Sequence, residues 1–225
     1  TLVDKSEELA MVSLQGPEST LILADMVRAR NLPDKKNKFT LAELVGRQVM
    51  VARTGYTGEA KGYEVILPAE IALGVWRGLI NEFEVTPAGL GSRDSLRTEA
   101  GYPLYGHEFS DEAGREIPIL ANNTARIGIS FASVKGNYIG RESLDKQMTE
   151  SEHIMRGRYD LLPQNGVLKR IVRPILVENP NPSRSLRPGY KVFFGNQEVG
   201  VVTSGVFAPY LNFTGDDPDS VTTDQ

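Results

Sequence analysis

The sequence contains no cysteine. That excludes disulfides, a thiol nucleophile and thiolate-held zinc or iron–sulphur, and it is compatible with a reducing compartment. Histidine is almost as scarce. The only two, His107 and His153, stand far apart in no metal-ligand spacing, so no metal site is expected. An excess of positive charge is also lacking. The formal net charge is −4, which gives no broad attraction for nucleic acid or an anionic membrane. An anionic ligand would therefore need a local arginine cluster. No apolar run approaches the ~20 residues of a membrane span. The first residues, TLVDKSEELAMVSLQGP, show neither an initiator methionine nor a signal-peptide pattern. The last, LNFTGDDPDSVTTDQ, are acidic and turn-rich, and both ends read as cut.

What is present is ordinary for a globular chain. The 225 residues are 40% hydrophobic and 24% charged, enough for a real core and one to two domains. Ala10 to Gln15 reads as a strand stopped by Gly16-Pro17. A helix is expected from Pro17 to about Arg30, with Glu18 favourable at its positive end. Asn31 to Lys38 is a polar loop whose lysines 35, 36 and 38 read as solvated, with a weak claim to dock an acidic carrier. Gln48 to Ala52 is a strand, Arg53 to Gly62 a glycine-rich turn, and Tyr63 to Leu67 an alternating strand. Pro68 opens a helix in which Leu73, Trp76 and Ile80 form one apolar stripe, so Trp76 is expected in the core. Further on, Arg126 to Phe131 reads as a strand, Arg141 to Met148 as a helix and Thr149 to Arg158 as a polar linker. From Lys169 the chain reads as short strands with Pro/Gly turns: KRIVRPILVE, YKVFF and EVGVVTS.

The segment Pro87 to Glu108, PAGLGSRDSLRTEAGYPLYGHE, stands apart. Glycines lead into a short helical stretch, Ser92 to Ala100, and Gly101 ends it in the usual left-handed cap position. Arg93, Asp94, Arg97 and Glu99 crowd onto about two turns, and such a stretch buries little. Read alone, Arg93, Asp94 and Arg97 are surface charges, with Asp94–Arg97 contributing about 0.2–0.5 kcal/mol. Arg93 and Arg97 repel at i, i+4, which hints at an anionic partner for Arg93. His107 reads as an exposed turn residue, Glu64 as a solvated edge carboxylate, and Tyr56 equally as a packing lid or a ligand contact.

The motif order alters these readings. PAGLGSRDSLRTEAGYPLYGHE closely resembles the signature of the glycine cleavage system T-protein, a family of tetrahydrofolate-using aminomethyltransferases. RTGYTGEAKGYEVILP resembles the family's preceding turn and strand, with one extra residue near Lys61. MVSLQGPES, YIGRESL and VGVVTSGVFAP are similar to further family motifs in the same order, so the likeness runs from about Ala10 to Pro209. The resemblance implies an α+β fold: a folate-binding α/β sandwich-type domain, incomplete at its N-terminus, over 1–150, then a small and truncated β-barrel domain over 165–225. It implies transfer of a one-carbon unit from an aminomethyl-lipoyl carrier (H-protein) to tetrahydrofolate, with ammonia released. It also implies a cytoplasmic setting, or the mitochondrial matrix in a eukaryote, with no nucleic acid, membrane or metal involved.

Carried over residue by residue, Glu64 matches the glutamate that grips the pterin; a carboxylate accepts from adjacent ring N–H and amino donors at once. Arg93 of Ser92-Arg93-Asp94 matches an arginine that contacts the folate, Tyr56 a tyrosine lining the site, and Arg184 an arginine ahead of the TSG motif. Departures are informative. A tryptophan often found before the YIGRE-like motif falls near Ile127. No residue matches the family's catalytic aspartate, expected upstream of Thr1, so no catalytic residue is assigned; the family's last strands, with another arginine of the site, are expected after Gln225. Three other readings compete: a folate-dependent demethylase or dimethylglycine-type transferase domain, an iron–sulphur-assembly folate binder, and a non-catalytic fragment. The second of these carries K-G-C-Y-x-G-Q-E, and Asn137 stands where its cysteine belongs.

Overall fold

A computed structural model describes residues 2–29, 31–109, 117–122, 128–175, 177 and 186–206, together with the backbone of 210–213 and 221–224. Two compact units divide it, Thr1–Ala100 with Ala208–Gln225, and Gly101–Phe207. The division falls inside the stretch 1–150 that the sequence reading assigns to one domain.

The first unit is built on strands β1 (Leu9–Gln15), β2 (Phe39–Leu44), β3 (Arg47–Ala52) and β4 (Gly62–Pro68), antiparallel in the order β1-β4-β3-β2. Sequence reading missed β2, whose FTLAEL pairs with RQVMVA across a two-residue hairpin loop, Val45-Gly46. Both loop residues have positive φ, 51° and 70°, the geometry that matches the right-handed twist of a hairpin. A β-branched residue in that conformation gave the sequence no turn signal to read. Alternation along the strands sends Val12, Leu14, Ala42, Leu44, Val49, Val51, Tyr63, Val65 and Leu67 to one face. There they pack with Leu23 of α1 (Ser19–Met26) and with Val75 and Leu79 of α2 (Ala69–Asn81) as one core.

Two expectations are corrected here. The helix expected to about Arg30 ends at Met26, because Arg28 exchanges backbone bonds with Glu43 at 2.8 and 3.0 Å instead. In α2 the core face is Val75 and Leu79, flanked by Ile71 and Ala72, while Leu73 is 59% and Trp76 40% exposed. A helix apolar on more than one side offers two candidate stripes, and packing chose that of Ile71, Val75 and Leu79. Helix α3 (Leu90–Glu99) closes the unit's described helices, preceded by Gly89 and followed by Ala100.

The second unit holds a 3-10 turn at Ile119–Ala121, helix α4 (Arg141–Met155) and hairpin strands β5 (Lys191–Phe194) and β6 (Gln197–Val201). Its core cluster is Ala121, Ile154 and Leu168, with Ile117 and Leu162 against it. The polar stretch expected as a linker is the end of α4, where Glu150, Ser151 and Ile154 are buried. Glu150 explains why: its two carboxylate oxygens accept from the backbone N–H of Val167 at 2.9 Å and Leu168 at 2.8 Å. Gly128–Phe131 form no strand, and Arg126 and Ile127 lie outside the described residues. KRIVRPILVE is likewise irregular over 169–175, with Pro174 lacking an N–H and Val172 donating to the carbonyl of Ala121 at 2.9 Å. YKVFF and EVGVVTS do supply strands β5 and β6. A further antiparallel pair joins β7 (Tyr210–Phe213) to β8 (Val221–Asp224), in the stretch grouped with the first unit. The architecture is thus mixed α and β with antiparallel sheets. Among the described residues, no helix is long and apolar enough to cross a membrane.

Candidate functional site

Among the described residues, the helices packed on the four-stranded sheet lie on one face, that of Val12, Leu14 and Val65. On the other, register aligns Met11, Ile66, Met50 and Leu41 in one row across all four strands. The next row is Ser13, Glu64, Ala52 and Phe39. Met11 is 58%, Leu41 54% and Phe39 62% exposed. Glu64 thus stands half-buried on an open, largely apolar floor, a carboxylate with hydrocarbon around it.

Its carboxylate is oriented. The Thr54 hydroxyl donates to Glu64 Oε2 at 2.6 Å, and no other protein hydrogen bond reaches Glu64 among the described residues. Thr54 opens the turn Arg53 to Gly62, and Gln15 fastens that turn to the end of β1. The Gln15 Nε2 donates to Ser13 Oγ (3.0 Å) and to the carbonyls of Thr54 (3.2 Å) and Tyr63 (3.4 Å), while its Oε1 accepts from Thr57 Oγ1 (3.3 Å). A Cβ on Gly55 or Gly62 would lie 2.1 or 2.0 Å from that Oε1, so any side chain at either position displaces the amide. Tyr56, on the same turn, is 37% exposed.

The turn also meets the end of α3. Gly58, at φ +87°, sits where a Cβ would be 2.6 Å from the Cβ of Ala100. Beside that contact, Glu99 faces the charge of Glu59. Burial first, and that neighbouring carboxylate second, push the Glu99 carboxyl above the ordinary carboxylate range. Glu99 Oε1 is buried without a hydrogen-bond partner among the described residues, which is the desolvation seen from the other side.

The candidate residues are therefore placed as follows. Glu64 and Tyr56 share one corner of the sheet, and Arg93 lies on the first turn of α3, exposed. The turn approaches Ala100, the residue that follows α3, at Gly58. Arg184 lies outside the described residues, as does the position near Ile127 where the family's tryptophan falls.

Arg97 differs most from its sequence reading. It is 1% exposed, and its guanidinium donates to Asp94 Oδ1 from Nε at 2.8 Å and from a second nitrogen. A buried arginine requires such pairing, so this pair is part of how α3 is seated, not a solvated surface pair. It also neutralises the charge that was expected to repel Arg93. In the other unit, His107 is half-buried and shares a hydrogen bond of 3.4 Å with the hydroxyl of Ser204, so it is not a free turn residue. Among the described residues, no group of three or more His, Asp or Glu side chains is placed to hold a metal ion.

Residues 1–115 match the model of the family described as "GCVT N-terminal domain". The chain is 35% identical over 214 residues to an aminomethyltransferase of Thermoanaerobacter sp. (strain X514), covering 92% of this chain and 50% of that protein. It is 36% identical over 211 residues to an aminomethyltransferase of Deinococcus deserti, covering 94% of this chain and 49% of the relative. It is also similar to the crystal structure of the glycine cleavage system aminomethyltransferase T from Bartonella henselae, with 24% identity, a TM-score of 0.48, and coverage of 88% of this chain and 48% of the other. The chain spans about half the length of the curated relatives it matches. With just over half of its residues matched by the family model, this chain belongs to the GCVT N-terminal domain family.

Proposed function

We propose that this chain is the folate-binding part of an aminomethyltransferase of glycine cleavage. One observation carries the reading: Glu64, an oriented carboxylate on the open apolar face of the sheet. A pterin is a flat ring with donors along one edge. Its faces suit Met50, Ile66 and Met11, and its donor edge suits a carboxylate with free lone pairs. The relatives that the chain matches are named aminomethyltransferases.

In this reading Glu64 accepts from the pterin ring N–H and amino group, Tyr56 borders the pocket, and Arg93 contacts the folate. The reaction is transfer of the aminomethyl carbon from a lipoyl-bearing carrier protein to tetrahydrofolate, with ammonia released. The residues of this chain contribute binding and orientation, which are large terms in a two-substrate transfer. None of them is assigned the proton transfer. Residues 1–150 form the folate-binding part, residues 165–225 belong to a small β-barrel, and the setting is the cytoplasm, or the mitochondrial matrix in a eukaryote.

The test is titration of the chain with tetrahydrofolate, followed by fluorescence or calorimetry. Glu64→Ala is expected to weaken binding about 10- to 100-fold, the loss of hydrogen bonds to a charged acceptor. Binding that is unchanged in Glu64→Ala would sink the assignment.

A further inference from the structure

We propose that Thr54 is a positioning residue for the Glu64 carboxylate and that Gln15 holds Thr54 in place. This rests on the reading of Glu64 as the pterin acceptor. A glutamate side chain on an open sheet face has three free torsions and no packing to choose among them. The 2.6 Å bond from the Thr54 hydroxyl fixes Oε2 and with it the plane of the carboxylate. Oε1 and the second lone pair of Oε2 remain for a ligand, so the bond orients without occupying the site.

Thr54 needs a support of its own, because it stands at the start of a turn with glycines at 55, 58 and 62. Gln15 supplies that support. Its amide nitrogen bonds the carbonyls of Thr54 and of Tyr63, the residue immediately before Glu64. One side chain thereby ties the backbone of the donor residue to the backbone of the acceptor strand. The amide lies over Gly55 and Gly62 so closely that both positions must lack a Cβ for it to sit there. Neither glycine has a positive φ, so backbone conformation does not demand glycine at 55 or 62. The space they leave is the space the amide fills.

The experiment is a double-mutant cycle on the 225-residue chain, read by tetrahydrofolate titration with thermal unfolding run alongside. Thr54→Val keeps the shape and removes the donor, and is expected to weaken binding about tenfold. Thr54→Ser, which restores a hydroxyl, should bind within about twofold of the parent chain. In a Glu64→Ala background Thr54→Val should cost nothing further, which a merely structural threonine would not do. Gln15→Met, which fills the volume without the amide, should weaken binding in the parent and have no effect beside Glu64→Ala. Parent-like affinity in Thr54→Val, or an equal loss with and without Glu64, overturns the proposal and leaves the Glu64 reading intact. Loss of the midpoint of unfolding in Thr54→Val, uncorrected by Thr54→Ser, overturns it as well. If Glu64→Ala binds like the parent, or the parent chain does not bind, the pterin reading itself falls and this proposal with it.

Discussion

At the residue scale, the informative side chains are those whose surroundings oppose their charge. Glu99 has a partly buried carboxyl, an oxygen with no partner among the described residues, and Glu59 beside it. Its folded-state pKa is raised above the ordinary carboxylate value, first by burial and then by Glu59. By linkage, a raised carboxyl favours folding while protonated, and that contribution is lost as pH rises through the folded pKa. Above that pKa the ionised carboxyl carries the desolvation and the repulsion from Glu59. Glu99→Gln should raise the midpoint of thermal unfolding at pH 7, and the gain should close as pH falls through the carboxylate range. A midpoint lowered at pH 7 would mean that the Glu99 charge has a favourable role here. Arg97 shows the limit of reading charge from sequence. Asp94 and Arg97 at i, i+3 are visible in the sequence, but whether that pair is solvated or buried depends on which face of α3 is covered. Glu64 could be singled out only by motif order, because its own strand, YEVIL, reads equally as an edge strand with a wet carboxylate.

At the element scale, legibility followed local signals. Strands β1, β3 and β4 and helix α3 have strong alternation or glycine punctuation, and the structure has them within a residue or two of where they were read. Strand β2 was lost because Val45 in a left-handed turn gives no turn signature. The end of α4 was lost because Glu150 is buried by backbone donors that come from much later in the chain. The turn Arg53 to Gly62 is an element held at two points, by Gln15 at one side and by the Gly58–Ala100 contact at the other. Gly58→Ala tests the second point. It places a side chain at φ +87° and against the Cβ of Ala100, so a cost of about 1–3 kcal/mol is expected in urea unfolding. A stability within error of the parent would show that the turn can move off α3 freely.

At the scale of the whole molecule, the two units keep separate cores. The first unites the four-stranded sheet with α1 and α2, and the second gathers Ala121, Ile154 and Leu168 around the end of α4. The chain's single tryptophan, Trp76, belongs to the first unit. Glu150→Ala removes the acceptor for two backbone N–H groups in the second unit and should destabilise that unit by about 2–4 kcal/mol. Amide exchange at Val167 and Leu168 should accelerate in the variant. Exchange unchanged at both amides would mean that Glu150 does not hold them in solution.

The Gln15 amide over Gly55 and Gly62 also ties together positions that lie far apart in the chain. A glycine in a turn is ordinarily explained by its own backbone, and a change there is judged position by position. Here the glycines record a side chain contributed by a distant strand. Positions 15, 55 and 62 are therefore coupled: a side chain gained at either glycine displaces the Gln15 amide and, with it, the bonds to the carbonyls of Thr54 and Tyr63 beside the corner where Glu64 stands.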